Sequence, residues 1–192
     1  DVLEYRSDNM FMPSFTSGSQ DKYEINHFQD NKTNSLIADI WKNSYSAISR
    51  CNVMVDRIQG AGINADKKIQ FESEARFIRA FHYFNLVRLF GKVPLVIHEI
   101  TDEEALKTPR EDINNVYEQI ITDLNFALQL PGSYDDSDLG RVTAKAAEAL
   151  LAKVYLTNGK YAEAKVSLGN IITNGKYDLL TDIKDVFDVN NE

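Results

Sequence analysis

The sequence predicts an all-α fold of antiparallel helix pairs, preceded by an irregular segment at the N-terminus. Five stretches carry apolar residues at steps of three and four, which is the spacing of one helix face. Glycine or proline follows each stretch and marks where a helix should end. Only a few residues separate the last two stretches, and so short a connection requires antiparallel neighbours.

The first two helices should be the longest. The first is expected over residues 35–58, and its apolar stripe consists of Ile37, Trp41, Tyr45, Ile48, Asn52 and Val55. The second is expected over residues 65–90, and its predicted core face consists of Phe71, Ala75, Ile78, His82, Leu86 and Leu89. Because the second helix is apolar nearly all round, it should lie buried between neighbours. Gly91 suits the left-handed position just past its end.

A capping motif predicts where the third helix begins. Thr108-Pro109-Arg110-Glu111 offers an N-cap threonine, a proline at the first helical position and a glutamate at the third. The stripe that follows consists of Ile113, Val116, Ile120, Leu124 and Ala127. Pro131-Gly132 should end the helix. Only Val93-Pro94-Leu95-Val96 and Tyr177-Asp178-Leu179-Leu180 suggest strands.

The last two helices form a predicted hairpin. Thr143 should cap the fourth helix, which continues to Thr157, and the fifth should cover residues 161–174. The residues expected to face inward from the fifth helix are Ala164, Leu168, Ile171 and Ile172. The pattern Ala152…Tyr155…Gly159-Lys160-Tyr161-Ala162-Glu163-Ala164 looks like the centre of a tetratricopeptide (TPR) hairpin. The fold should therefore be a TPR-like stack.

Composition excludes several classes of protein. Lys and Arg total 21 against 29 Asp and Glu, so the net charge is −8, which argues against a nucleic-acid partner. Cys51 is the single cysteine of the 192 residues, so neither a disulfide framework nor a cysteine-rich zinc site is expected. No run approaches the ~20 apolar residues that a membrane-spanning helix needs.

No set of residues predicts catalysis, a metal site or a cofactor. The three histidines are far apart, and we expect His82 to be a satisfied core histidine. Cys51 should be an inert buried thiol, and Glu72 should pair with Arg76 four residues later. The acidic loop around Asp136 lacks the order of an EF-hand, so we interpret it as solvated. The absence of a catalytic set favours a binding protein.

The first 34 residues have no regular period, yet they are rich in aromatic and amide side chains. A flat ring matches the apolar face of a pyranose, and amides and hydroxyls can bind its polar rim. We therefore take this segment as the candidate ligand-binding region, with Asn9, Phe11, Phe15, Gln20 and Tyr23 as candidate contacts. The alternative is that these aromatic rings only seal the helical core.

Several segments, taken in order, resemble the N-terminal half of SusD/RagB proteins. They are Trp41-x-x-x-Tyr45-x-x-Ile48-x-x-x-Asn52, then Glu74-Ala75-Arg76-Phe77-Ile78-Arg79-Ala80-Phe81-His82-Tyr83-Phe84, then Leu86-Val87-Arg88-Leu89-Phe90-Gly91-x-Val93-Pro94-Leu95, then Asp123-Leu124…Ala127…Leu130-Pro131, and finally Gly140-Arg141-Val142-Thr143 with the helix after it. The resemblance covers about residues 41–180.

The resemblance implies a non-catalytic, surface-exposed lipoprotein of the Bacteroidetes outer membrane. Such proteins bind glycans, sometimes peptides, and sit as a lid on a SusC-like TonB-dependent transporter that takes up oligosaccharides. Family members are far longer, so this chain resembles their N-terminal portion. The lipid-bearing cysteine of the family has no counterpart near residue 1, since Cys51 lies inside a predicted helix. We therefore expect this chain alone to be soluble and unanchored.

These interpretations divide the chain into three parts. Residues 1–34 should form an irregular surface segment, residues 35–180 the TPR-type helical domain, and residues 181–192 the start of a truncated C-terminal region. The alternative function is a TPR-like scaffold that binds a protein or peptide in its concave groove. That function requires a groove lined by polar residues of the inner helices.

Overall fold

A computed structural model describes residues 2–14, 18–174 and 180–187, and this part of the chain is predominantly helical. Its α-helices, in chain order, are α1 (Val2–Tyr5), α2 (Gln20–Asn26), α3 (Ser35–Arg57), α4 (Ala65–Phe90), α5 (Asp102–Lys107), α6 (Ile113–Ala127), α7 (Ala144–Thr157) and α8 (Tyr161–Asn174). Short 3-10 turns cover Ile58–Gly60, Asp136–Asp138 and Ile183–Phe187. These residues include no β-strand, and the all-α prediction is confirmed.

The long helices α3 and α4 begin and end where local chemistry places them. The side chain of Asn34 accepts a hydrogen bond from the backbone N–H of Ile37, and Asn64 caps α4 in the same way. At the other end of α4, Gly91 has φ +68°, a value that favours glycine. Both predicted helices are confirmed.

The main core forms where α4 packs against α3 on one side and α6 on the other, and α7 and α8 continue the stack. Its buried residues include Ile48, Ala80, Tyr83, Phe84, Leu86, Val87, Val116, Ile120, Leu124, Leu151 and Val154. The predicted core face of α4 is partly wrong, because Ile78 and Leu89 are exposed. The helices α3 and α6 bury Tyr83, Phe84 and Val87 instead. The buried face of α4 is therefore rotated about the helix axis relative to the predicted face.

The predicted start of the third long helix is wrong. The α6 helix begins at Ile113 with Asp112 as its cap, and the capping box lies earlier, between Thr101 and Glu104 of α5. The segment between the two helices is held extended by an isolated antiparallel β-bridge between Arg110 and Pro94. The N–H of Glu111 also donates to the Val93 carbonyl at 2.9 Å. Tertiary pairing therefore overrides the capping preference of Thr108. This bridge is also all that forms of the strand suggested by Val93–Val96.

The α7–α8 hairpin forms as predicted. Thr143 caps α7 by accepting from the N–H of Ala146, and Gly159 has φ +72° in the short connection. Ala164 faces inward, but Ile172 is 75% exposed and Leu168 is also exposed, so these two predictions are wrong. In the described part α8 packs on α7 alone, and a single partner buries only a narrow stripe. The second suggested strand lies at residues 177–180, of which 177–179 are outside the described residues.

The segment over residues 1–34 contains two short helices, α1 and α2, which pack on each other, and α2 also packs on α3. Its long intervening stretch has no regular secondary structure where it is described. No helix in the described ranges combines the length and the hydropathy required to span a membrane.

Candidate functional site

Three aromatic side chains of the N-terminal segment lie together on the surface. The Tyr23 and His27 rings stack with centroids 3.9 Å apart and planes 24° from parallel. The Phe11 ring lies 6.3 Å from His27 at a tilt of 49°, and Phe11 is 74% exposed. We call Phe11, Tyr23 and His27 the aromatic surface. The exposed ring of Phe11 presents a flat apolar face to the solvent, while Tyr23 and His27 are half-buried.

The structure brings together only some of the predicted site residues. Phe11 and Tyr23 both adjoin His27, whereas Phe15 lies outside the described residues. Asn9 is exposed beside α1, and Gln20 is exposed and donates to the Glu24 carboxylate at 2.9 Å. The described contacts do not join Asn9 or Gln20 to the three rings.

His27 is a member of the aromatic surface that sequence reasoning missed. The imidazole Nδ1 lies 3.0 Å from the backbone carbonyl of Tyr23, one helical turn earlier. The signal was present in the sequence, because residues four apart share one face of a helix. Metal-ligand spacing among the three histidines does not reveal such stacking.

Asn26 anchors the loop that carries Phe11. Its amide oxygen accepts from the N–H of Met12 at 3.0 Å, and its amide nitrogen donates to the carbonyls of Tyr5 at 2.7 Å and Met10 at 2.9 Å. One side chain of α2 thus provides hydrogen-bond partners for three backbone groups of a stretch that forms no regular secondary structure. The neighbouring Ile25 is fully buried and fastens the inner face of α2.

A second polar side chain fastens α2 to α3. Asn34 is 1% exposed, caps α3, and donates from its amide nitrogen to the Asp21 carbonyl at 3.0 Å and to the Glu24 carboxylate at 3.3 Å. Buried amides with every bond made are costly to move, so they hold a loop in one place. The helix α2, which carries Tyr23 and His27, is therefore attached to α3.

The charged residues of α4 have structural partners. Glu72 pairs with Arg76 as predicted, with 2.6 Å between Oε1 and Nη2. The guanidinium of Arg79, which is 2% exposed, binds the buried carboxylate of Asp123 at two points. Burial disfavours the charged guanidinium, but the hydrogen bonds and charge of Asp123 outweigh that effect and raise the pKa of Arg79. Both side chains of the pair are buried, which argues for a structural role.

Asn52 and two tyrosines connect this ion pair to the segment after α4. Asn52 accepts from Arg79 at 2.9 Å and donates to the carbonyls of Val96 and His98, each at 3.0 Å. The hydroxyl of Tyr83 donates to the Val96 carbonyl at 2.8 Å, and that of Tyr45 donates to the Pro94 carbonyl at 2.7 Å. Burial raises the pKa of both tyrosines well above the usual value, so they remain neutral donors.

The remaining candidates for reactive chemistry are inert or unclustered. Cys51 is buried as predicted, and burial raises the pKa of its thiol to about 11. His82 is only half-buried and lines a groove, so the prediction of a satisfied core histidine is wrong. Within residues 2–14, 18–174 and 180–187, no three His, Cys, Asp or Glu side chains are grouped to hold a metal ion.

Comparison with known proteins relates this chain to SusD-like proteins. A SusD-like family model, described as starch-binding and associating with the outer membrane, matches residues 3–156. A SusD-like protein of Formosa agariphila, P2, is 34% identical over 185 residues, which is 91% of this chain and 35% of that protein. The chain spans about a third of the length of the curated relatives it matches.

Solved structures show the same fold. A laminarin-binding SusD-like protein superposes with a TM-score of 0.85 at 30% identity, covering 92% of this chain and 40% of its own. A second crystal structure, solved with xylogluco-oligosaccharide, gives a TM-score of 0.75 at 27% identity, with 88% and 36% of the two chains covered.

Proposed function

This chain belongs to the SusD-like family, and from that premise we propose that it helps a surface protein of the outer membrane to capture neutral oligosaccharides. In this proposal the whole protein binds glycan without chemical change. It then passes the glycan to a SusC-like TonB-dependent transporter and is held at the cell surface by a lipid anchor outside this chain. The transporter, the anchor and the location follow from the family resemblance.

The observation that carries the glycan proposal is the 74% exposed ring of Phe11 beside the stacked Tyr23 and His27. Phe11 is a large exposed apolar side chain next to two half-buried rings, and such a patch is typical of a ligand-binding surface. A pyranose ring has an apolar face of C–H groups that matches an aromatic plane, and its hydroxyls require polar neighbours. Asn9 and Gln20 are exposed amides of the same segment and remain proposed contacts.

Two relatives support the choice of ligand class. One related structure is described as laminarin-binding, and another was solved with xylogluco-oligosaccharide. Both ligands are neutral glucans. A neutral ligand suits a chain whose net charge is −8. An anionic polysaccharide would be repelled by that charge.

The N-terminal segment and the helical domain have different roles in this proposal. We propose that residues 1–34 carry the ligand surface and that the helices over residues 35–180 form its rigid support. A loop held by Asn26 and Asn34 loses little further freedom on binding, so its rings need little ordering. Since the chain spans about a third of the length of its curated relatives, we propose that further ligand contacts lie outside it and that the chain alone binds weakly.

Affinity electrophoresis tests this function, because it detects weak binding to a polysaccharide in the gel. We expect laminarin in the gel to retard the chain, and Phe11→Ala to remove most of the retardation. Tyr161→Ala is the matched control, since it removes a 70% exposed ring from α8, away from the aromatic surface. Equal retardation of the Phe11 variant and the unaltered chain would place the glycan elsewhere.

A further inference from the structure

A groove of about 630 Å³ lies between α3 and α4, with Glu4 of α1 in its wall. This volume lies within the range of small-ligand sites, roughly 300–1,000 Å³. Phe11, Tyr23 and His27 are not among the residues that line it. The groove is therefore distinct from the aromatic surface, although α1 and α2 connect the two places.

The apolar part of the groove is built from both helices. Leu36 and Ile40 come from α3, and Leu89 comes from α4. Phe81 adds a ring that is 45% exposed and lies edge-on to the His82 imidazole, with centroids 5.7 Å apart. An exposed ring next to aliphatic side chains gives the groove a face suited to C–H groups.

Four polar side chains of the groove have no hydrogen-bond or ion-pair partner among the described residues: Asp39, Asn43, Ser44 and His82. Ser44 is the least exposed of the four, at 4%, and is one of the residues that line the groove. Because no protein group bonds these side chains, a ligand hydroxyl can bond to them without displacing a protein contact.

The charge of the groove limits what it can bind. Glu4 and Asp39 contribute carboxylates, while the described lining contains no lysine or arginine. Burial lowers the pKa of His82, so its imidazole is neutral at pH 7. An anionic ligand would meet uncompensated negative charge, which leaves neutral or cationic ligands.

We propose that this groove is a second binding site for a neutral oligosaccharide, additional to the aromatic surface. The inference rests on the proposed function. A sugar presents C–H groups to the ring of Phe81 and hydroxyls that both donate and accept, which is what Asn43 and Ser44 require. The Asp39 carboxylate accepts from a sugar hydroxyl through a charge-assisted bond. A cationic peptide would also suit the carboxylates of Glu4 and Asp39, so it is the competing ligand in the test below.

The three histidines provide a test in which each ring reports a separate place. His27 lies in the aromatic surface and His82 in the groove, while His98 contacts Asp56 beside the segment after α4. We would label the histidine rings with ¹³C and titrate the full chain with laminarihexaose, following each ring by NMR. We expect saturable shifts at His27 and His82 and none at His98.

Variants assign the binding to the groove. Asn43→Ala and Phe81→Ala should each weaken the binding seen at His82 by about tenfold, since each removes one ligand contact, and should leave the binding at His27 unchanged. Asn125→Ala is the matched control, because it removes an exposed amide from α6 outside the groove. Circular dichroism of each variant establishes that it is folded before the titration is compared.

The outcomes separate the two proposals. Shifts at His27 without shifts at His82 overturn the groove site and leave the proposed function standing. Shifts at His82 that a hexalysine peptide produces and laminarihexaose does not also overturn the groove site as a glycan site. Shifts at neither His27 nor His82 with laminarihexaose or a xylogluco-oligosaccharide count against both proposals.

Discussion

The guanidinium of Arg79 donates two hydrogen bonds to the carboxylate of Asp123, at 2.8 Å from Nε to Oδ2 and 2.7 Å from Nη2 to Oδ1. The two residues are 44 positions apart and join α4 to α6 inside the helical stack. Both side chains are at most 2% exposed, so water cannot solvate either charge if the pair is broken. The fold therefore depends on this pair remaining intact.

Breaking the pair on one side should be strongly destabilising. Asp123→Asn leaves the Arg79 guanidinium buried without a counter-charge, and we expect the free energy of unfolding to fall by about 3–5 kcal/mol. Urea denaturation followed by circular dichroism measures the change. Glu103→Gln is the control, because it breaks the exposed Lys107–Glu103 pair and should cost at most about 1 kcal/mol. Equal costs for the two variants would contradict a structural role for Asp123.

Loss of the Asn52 amide should loosen the segment after α4. Asn52→Ala removes the donor to the Val96 and His98 carbonyls and the acceptor for Arg79. We expect faster amide hydrogen exchange in residues 93–98, while α7 is unchanged as an internal reference. Asn125→Ala, at an exposed amide of α6, should leave both regions as they were. Unaltered exchange in the Asn52 variant would show that Tyr45 and Tyr83 suffice to hold the segment.

The two ends of α7 offer a matched pair of threonine substitutions. Thr143 accepts from the N–H of Ala146, which satisfies an otherwise orphaned donor, so Thr143→Ala should cost about 1 kcal/mol. At the other end, Thr157→Ala removes a hydroxyl that donates to the Lys153 carbonyl within the same helix. This loss leaves no helix N–H without an acceptor, so it should cost under about 0.5 kcal/mol. Thermal unfolding of both variants measures the difference. A larger cost at Thr157 would reverse the assignment of the cap.

Local signals made the long helices predictable. Asn34, Asn64 and Gly91 act through hydrogen bonds and dihedral angles within one turn of the helix end, and such effects are visible in a short stretch of sequence. The same rule failed at Thr108, because the bridge between Pro94 and Arg110 decides that segment from a distance. A threonine with a glutamate three residues later occurs at both Thr101 and Thr108, and only the tertiary contact distinguishes them.

The candidate site was predictable only in part, for the same reason. Tyr23 and His27 are four residues apart on one helix, so their stacking follows from helical geometry. The approach of Phe11 depends on Asn26, which reaches back 14 to 21 residues to Met12 and Tyr5. The buried pair of Arg79 and Asp123 spans 44 residues and has no local signature either. Long-range hydrogen bonds of this kind are invisible to periodicity.

The pH dependence of stability should carry a contribution from His82. Burial lowers the pKa of His82 in the folded chain below its value of 6.5 when unfolded, so the unfolded chain binds the proton first as pH falls. The contribution is fully present above pH 6.5 and is lost as pH drops from 6.5 towards the lowered value. Urea denaturation between pH 7.5 and 5 should therefore give a shallower pH slope for His82→Gln. Identical slopes would contradict the assignment to His82.

The aromatic surface should depend on a residue that need not touch the ligand. Asn26→Ala removes three hydrogen bonds to the backbone of Tyr5, Met10 and Met12, so the Phe11 ring is no longer held beside His27. We expect faster amide exchange over residues 5–12 and a several-fold weaker retardation by laminarin, because binding must then order the loop.

The comparison with Phe11→Ala separates anchoring from contact. Phe11→Ala removes the ring itself, so it should weaken retardation while residues 5–12 exchange as in the unaltered chain. Asn26→Ala keeps the ring, so both properties should change together. If residues 5–12 exchange faster in the Asn26 variant and laminarin still retards it fully, a preformed loop is not what the glycan requires. Ring contact alone would then account for binding.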